Sequence, residues 1–391
     1  MVQKKIAIYS GEIPSTTFIE RLVDGMANSG YSVYLFGTLK KKKRYSQNVK
    51  VMAYSNRFEK AVQFLYYSFL LAVFQRKNKN KLVDLLAQQG NDSYAAKVKY
   101  YPVLYHRPDI FHLQWAKGVG DWIWVQEFGI KLVLSLRGTH ITISPIGNVY
   151  WKELYSQLFP KLDGFHAVSN ATGMMAQTFG ADATKIMTVY SGLDLERLPF
   201  VQKEKINAPL KVVSIGRSHW VKGYSYALDG LAILQGQQFD FEYSIIGVGT
   251  DEELLVQRSQ LGLEEKIRFV AAMPFEAVLL ALQEADVVLL SSVEEGIANV
   301  VLEAMALGTL VVTSDCGGMN EVITDGENGF LIPVRSALAM AEALRKVADL
   351  SISKYQKMTI AARKTIENQH SHQRMIADMI TLYESVLQEP S

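Results

Sequence analysis

Apolar residues along this chain gather into short continuous runs separated by longer amphipathic stretches, the pattern of buried parallel strands alternating with helices. Residues 5–9 (KIAIY) predict a first strand, and the loop SGEIPSTTF leads into a helix from about Thr17 to Asn28 with Phe18, Leu22 and Met26 on one face. YSVYLFG, after Gly30, predicts a second strand. Residues 58–97 read as helical, and their segment AVQFLYYSFLLAVF is apolar on nearly all faces. Its fourteen residues are too few to cross a bilayer, so the reading is a buried helix or an interfacial one. DIFHLQW and KLVLSL predict further strands with a tryptophan-rich helix between them. DGFHAV, a helix capped by Ser169 or Asn170, and KIMTVYSGLD complete the first half.

Around residues 195–209 the pattern turns polar and interrupted, and then it restarts: LKVVSIG, FEYSIIGVG and IRFVAA predict strands, each followed by a helical stretch. The densest organisation lies at residues 285–323. There DVVLLSS predicts a strand, Glu294, Glu295 and Gly296 a polar turn, and Asn299 the cap of a helix that Gly308 stops. LVVTS predicts the next strand, with Asp315, Gly317 and Gly318 at its carboxyl edge. The expected domains are residues 1–195, a linker at 196–209, a second domain at 210–368, and a final segment, 369–391, returning to pack on the first. The expected fold class is α/β, two Rossmann-like parallel-sheet domains facing each other across a cleft.

Composition changes this picture in three ways. The chain has 391 residues, 49% of them hydrophobic and 20% charged, enough for two substantial cores. Its one cysteine, Cys316, permits no intrachain disulfide, which points to a reducing, cytoplasmic compartment. The net charge of +2 hides an asymmetry: residues 40–100 carry fourteen Lys or Arg against three Asp or Glu. Such a basic region implies an anionic partner, whether phosphate, lipid headgroups or nucleic acid. The amino-terminal apolar run is only strand-length, too short for a signal peptide or a span.

Several chemistries lack their residues. GVGTDEELL has no third glycine at dinucleotide-loop spacing and is followed by acids, so nicotinamide or flavin binding there is rejected. No ATPase phosphate loop, zinc spacing, magnesium-type acidic cluster or G-x-S-x-G elbow occurs. What remains is a strand ending at Gly216, followed by Arg217 and Lys222. Two cations at a strand's carboxyl edge suit a diphosphate, the arginine as a fork and the lysine as a point charge. Glu295 and Glu303, with seven residues between them, flank a helix start whose free amides approach phosphate oxygens, while a carboxylate there receives sugar or ribose hydroxyls.

Arg217 with Lys222, EEGIANVVLEAMALG, CGGMNEVITDGENGFLIP and the amino-terminal GEIPSTTF together resemble the retaining, nucleotide-sugar-dependent glycosyltransferases of the GT-B fold, family 4. The resemblance covers nearly the whole chain. It implies that Glu303 binds ribose hydroxyls, that Glu295 lies against the donor sugar or its phosphate, and that Arg217 and Lys222 neutralise the leaving diphosphate. It places Gly216, Gly296, Ile297, Ala298, Asn299 and Val300 around the phosphates, Ala272 and Met273 beside the base, and Gly11 in a first-domain loop over the phosphate. No bound metal or other cofactor is implied. The implied activity is hexose transfer from a UDP- or GDP-sugar to a glycan or lipid-linked saccharide in cell-surface polysaccharide biosynthesis. The basic region would then meet an anionic membrane leaflet from the cytoplasmic side, and no nucleic acid is involved.

Two departures stand out. Where the family commonly has histidine, glycine, any residue and aspartate, this chain has Arg137, Gly138, Thr139 and His140. An arginine with an ordinary pKa above about 12 is no general base near neutral pH, so either Arg137 or His140 is left to face the donor sugar. Ala272 stands where glycine is common. Two other classes are weighed: a sugar-nucleotide epimerase of the same architecture, which needs further acid and base carboxylates, and a catalytically idle scaffold, which the intact Arg217, Lys222, Glu295 and Glu303 oppose.

Overall fold

Strand-length runs rich in Val, Ile and Leu can be satisfied only where both faces are covered, and the computed structural model, which describes residues 3–388, covers them in two parallel sheets. In the first, β1 (Lys5–Ile13), β2 (Ser32–Leu39), β3 (Val49–Met52), β4 (Ile110–Leu113), β5 (Lys131–Leu136), β6 (Gly164–Ala167) and β7 (Ile186–Thr188) lie in the order β3-β2-β1-β4-β5-β6-β7. In the second, β8 (Leu210–Ile215), β9 (Phe241–Ile246), β10 (Ile267–Val270), β11 (Val287–Leu290), β12 (Leu310–Ser314) and β13 (Phe330–Ile332) lie in the order β10-β9-β8-β11-β12-β13. The four residues of β11 are all buried, as a central strand with helices on both faces requires. Both orders reverse direction once, between β1 and β4 and between β8 and β11. Crevices at the carboxyl ends of such switch points are where open α/β sheets bind ligands.

Packing divides the chain into two units. One comprises the described residues up to Val168, then Thr172–Val189, then those from Met375; the other comprises Ser169–Ala171 and Tyr190–Arg374. The last helix, His372–Gln388, buries Met375, Ile376, Met379, Leu382, Tyr383 and Val386 against Ile6, Ile8 and Val133 of the first sheet. Residues 196–209 are tied to the second unit, with Val201 donating its amide to Leu307 O at 3.0 Å and Lys203 Nζ donating to Gln283 O at 3.1 Å.

Three local expectations change. The first strand does not stop at Tyr9 but runs on to Ile13 through an irregularity that leaves Ser10 out of the register, so Gly11, with φ +84°, lies within the strand opposite Gly37 rather than in a free loop. The tryptophan-rich stretch is not one helix but a broken series of short turns from Ala116 to Phe128. The long helical stretch is three helices, Arg57–Phe74, Arg76–Gln88 and Tyr94–His106. The first of these is not a buried core helix: it buries only Tyr67 and Leu71 completely. No described helix is long and apolar enough to cross a membrane.

Candidate functional site

In the second unit the switch point brings together the loops after β8 and β11. The chain leaves β8 at Gly216, passes Arg217, and makes a single 3-10 turn over Trp220–Lys222 that Gly223 ends with φ +62°. A side chain at Gly223 would strike Ser291 O, which its Cβ would meet at 2.1 Å. That close approach lets Val293 donate its amide to Val221 O at 2.7 Å and Ser291 Oγ donate to Lys222 O at 2.9 Å. With the two loops joined, Lys222 Nζ reaches Glu295 Oε1 at 2.5 Å, and Ser292 Oγ donates to the same oxygen at 3.1 Å. Both charged side chains are about four-fifths buried, so the pair is fixed rather than solvent-averaged. Arg217 is exposed on the same loop.

The β12 loop closes the other flank. Gly317, with φ +55°, approaches so near that a Cβ would lie 1.5 Å from Glu295 O, and Gly318 donates its amide to Gly296 O at 2.7 Å. Between these loops starts the helix Asn299–Leu307. Its N-cap is Ala298, without a side-chain cap hydrogen bond, which corrects the expectation that Asn299 caps it; Asn299 is its first residue. A helix start with no side-chain cap leaves amide donors for a ligand anion. Gly308 ends the helix in the left-handed region at φ +93°, and Glu303, at its fifth position, is 9% exposed.

Behind this rim the supports are rigid. Tyr224 donates its hydroxyl to Gly216 O at 3.1 Å. A Cβ on Gly247 would meet the same Gly216 O at 2.7 Å. Burial, reinforced by Glu295, pushes the Cys316 thiol up to about 12, so it is a neutral packing group and no nucleophile. Ala272 is exposed and Met273 half-buried in the loop that follows β10, at the carboxyl edge of the same sheet.

In the first unit, a second cluster lies at the carboxyl ends of β1, β4 and β5. Trp115 Nε1 donates to Ser10 O at 2.8 Å and packs beside Gly11, whose Cβ would stand 3.5 Å from it. The His140 ring lies 5.6 Å from that of Trp115, and burial, with Lys117 adding, holds its pKa below the ordinary value, so it is neutral at neutral pH. Arg137 donates from Nη2 to Gln114 Oε1 at 3.1 Å and stacks 4.2 Å over the ring of Phe18. Burial lowers its pKa to about 9, below the ordinary value on which the sequence argument rested, yet it still carries its proton at pH 7. Ser10, Gly11, Glu12, Thr16 and Trp115 line a cavity of about 440 Å³ there.

Comparison with known proteins decides the class. Residues 15–197 match the family model described as Glycosyltransferase Family 4, and residues 198–365 match that of Glycosyl transferases group 1. The chain belongs to the glycosyltransferases of the family 4 type and has the GT-B fold. It is 30% identical over 260 residues to the amylovoran biosynthesis glycosyltransferase AmsK of Erwinia amylovora, covering 64% of this chain and 63% of that protein. It is 27% identical over 272 residues to WcaL of Escherichia coli (strain K12), named for colanic acid biosynthesis, covering 67% of each. The matches thus span about two thirds of these relatives. Among solved structures, the fold is shared with sucrose-phosphate synthase from Thermosynechococcus elongatus (TM-score 0.74, 16% identity, 98% of this chain and 99% of that one). It is shared too with Anabaena HepE in complex with UDP-glucose (TM-score 0.72, 17% identity, 96% and 99%).

Within this glycosyltransferase the second unit brings Gly216, Arg217, Lys222, Glu295, Gly296, Ile297, Ala298, Asn299 and Val300 to one sheet edge, with Glu303 one helical turn deeper. Direct contact joins Lys222 to Glu295. Arg137 and His140 follow one strand but have different neighbours, Phe18 for the arginine and Trp115 for the histidine. Sequence reasoning missed Ser291 and Ser292, which lock the loops, and Gln114 and Trp115, which hold Arg137 and Gly11. Ser291, Gln114 and Trp115 each act on a residue of a different strand or its loop, so no linear spacing marks them, while Ser292 acts on Glu295 three residues further along the same loop. Among the described residues no group of three or more His, Cys, Asp or Glu is placed to hold a metal ion.

Proposed function

We propose that this glycosyltransferase moves a hexose, with retention of configuration, from a UDP- or GDP-sugar to a hydroxyl of a glycan or lipid-linked saccharide during polysaccharide assembly. The observation that carries the reading is the fixed Lys222–Glu295 pair beside exposed Arg217 and a helix start with no side-chain cap. The relatives named for amylovoran and colanic acid biosynthesis support the polysaccharide setting. Departure of the nucleoside diphosphate concentrates negative charge on its phosphates, and a lysine, an arginine and amide donors held in advance are what that charge requires. Glu295 keeps Lys222 aimed and offers its other oxygen to donor hydroxyls. Glu303 takes the ribose hydroxyls, and the Ala272–Met273 loop borders the base.

The bond from the anomeric carbon to the phosphate oxygen breaks as the acceptor hydroxyl oxygen bonds to the same face. The acceptor's proton passes to the departing phosphate oxygen, so no protein base is needed. His140, neutral, offers a hydrogen bond to a sugar hydroxyl, and Arg137 supplies a fixed positive charge on the acceptor-side unit.

Calorimetry against a panel of nucleotide sugars should find one nucleotide preferred, and Glu303→Ala should weaken that nucleotide about tenfold or more by removing a charge-assisted hydrogen bond. Proton NMR of the product should show the donor's anomeric configuration retained. Binding of no nucleotide, or formation of an epimerised nucleotide sugar without acceptor, would overturn the reading.

A further inference from the structure

The helix Arg57–Phe74 packs inward through Tyr67 and Leu71, with half-buried Phe64 and Leu70 beside them. Its opposite face carries Phe58, Val62, Leu65, Tyr66, Phe69 and Val73, each between 48% and 78% exposed. Steps of four, three, one, three and four residues put all six on one stripe of an α-helix, centred away from Tyr67 and Leu71. Phe74, 70% exposed, extends it at the carboxyl end. Single exposed apolar residues are ordinary, but a continuous stripe along most of an 18-residue helix marks a contact surface.

Charge selects what covers it. From Arg57 to Lys81 the chain has six Lys or Arg and one acid, Glu59. Arg57 stands exposed at one end of the stripe, and Arg76 and Lys77 at the other. A second copy of the chain would bring cations against cations as it buried the apolar faces. A surface with an apolar interior and an anionic rim meets both features at once. Four of the outward residues, Phe58, Tyr66, Phe69 and Phe74, are aromatic, a type that settles at the boundary between headgroup and acyl chain. The helix is too short in its apolar content to span, so it lies in the plane of the surface.

We propose that the outward face of Arg57–Phe74, with Arg57, Arg76 and Lys77, docks this protein onto an anionic lipid surface. The idea is independent of donor chemistry, which belongs to the second unit. Flotation of the full chain with phosphatidylcholine vesicles, with and without phosphatidylglycerol, tests it. Binding is expected to the anionic vesicles, weakening as salt rises. Leu65→Asp with Phe69→Asp should reduce it at least about tenfold, the least expected from losing even one buried Leu or Phe. Arg76→Glu with Lys77→Glu should abolish the preference for anionic vesicles. A Phe69→Trp variant should show a blue-shifted emission on binding. Unbound wild-type protein at low salt, unchanged binding by the aspartate variant, or a stripe-dependent dimer that ignores vesicles would each overturn the proposal. Nucleotide affinity of all these variants should equal that of the wild type, which keeps this outcome separate from the glycosyltransfer reading.

Discussion

The guanidinium of Arg137 has a neutral acceptor, Gln114 Oε1 at 3.1 Å, and it packs on Phe18 in surroundings that depress its pKa to about 9. A half-buried cation whose hydrogen-bond partner among the described residues is an amide is an incomplete arrangement, because burial costs it hydration that a single neutral bond does not restore. The remaining stabilisation is expected from an anionic or strongly polar group of the substrate. Arg137→Met keeps the packing on Phe18 and removes the charge. Its kcat/KM for transfer should fall roughly 10- to 100-fold, the scale of a lost charged hydrogen bond. Its nucleotide affinity by calorimetry should stay within about twofold. Undiminished transfer would reduce Arg137 to a packing residue.

Much of this was legible in the sequence because parallel strands and their loops are local features. The runs KLVLSL and LVVTS are β5 and β12 to within a residue, and the loop residues 216–222 and 295–303 stand at carboxyl ends, as their position after apolar runs implies. The helix Arg57–Phe74 reads in sequence as either buried or interfacial for a physical reason: a helix with one apolar face in the core and another exposed has the same composition as one wholly buried. The strand β3 (VKVM) is half-exposed at the sheet edge and too short for its pattern to register. Long-range partners were out of reach altogether. Nothing near Lys222 announces that its carbonyl will accept from Ser291, or that Gly223 exists to let the two loops touch.

The Lys222–Glu295 contact makes its two members non-additive. Lys222→Ala removes a cation from the proposed phosphate site and leaves a four-fifths-buried carboxylate where the donor phosphates would lie. Its kcat/KM should fall about 10²- to 10³-fold. The double variant Lys222→Ala with Glu295→Gln, which also removes the opposing charge, should be less impaired than the sum of the singles. Steady-state kinetics on the three variants test this, and strict additivity would mean that the pair does not act as a unit.

Gly317 controls the position of Glu295 through sterics alone. Alanine there must push Glu295 O away, since Cβ would sit 1.5 Å from it, so Gly317→Ala should loosen the proposed donor site as well as strain the backbone. Gly326 supplies the control, with a similar φ of +73° but nothing within 4 Å of its would-be Cβ. Both substitutions should cost about 1 kcal/mol of stability from the left-handed backbone, and Gly317→Ala more. Only Gly317→Ala should also weaken nucleotide binding, by roughly tenfold or more. Equal affinities in the two variants would show that the Gly317 approach does not set the site.

Acid should destabilise the first sheet through its buried histidines. His112 bridges Tyr383 Oη at 2.6 Å and Ser135 Oγ at 2.8 Å, and Ser135 in turn meets His166 Nδ1 at 2.9 Å. Burial holds His112 well below the ordinary histidine value of 6.5 and takes His166 to about 3. His106, also by burial, falls to about 4. In the folded chain these rings are neutral at pH 5, whereas in the unfolded chain they are protonated below about 6.5. Unfolding therefore takes up protons in that window, so stability is full above about pH 6.5 and declines as pH falls towards 4. Each such ring contributes roughly 1.4 kcal/mol per pH unit. Thermal unfolding at pH 7.5, 6 and 5 should show Tm falling steadily. His166→Gln, which cannot titrate, should flatten the slope by the share of one ring, whatever it costs in absolute stability. A Tm independent of pH across that range would mean that these histidines are not neutral by burial.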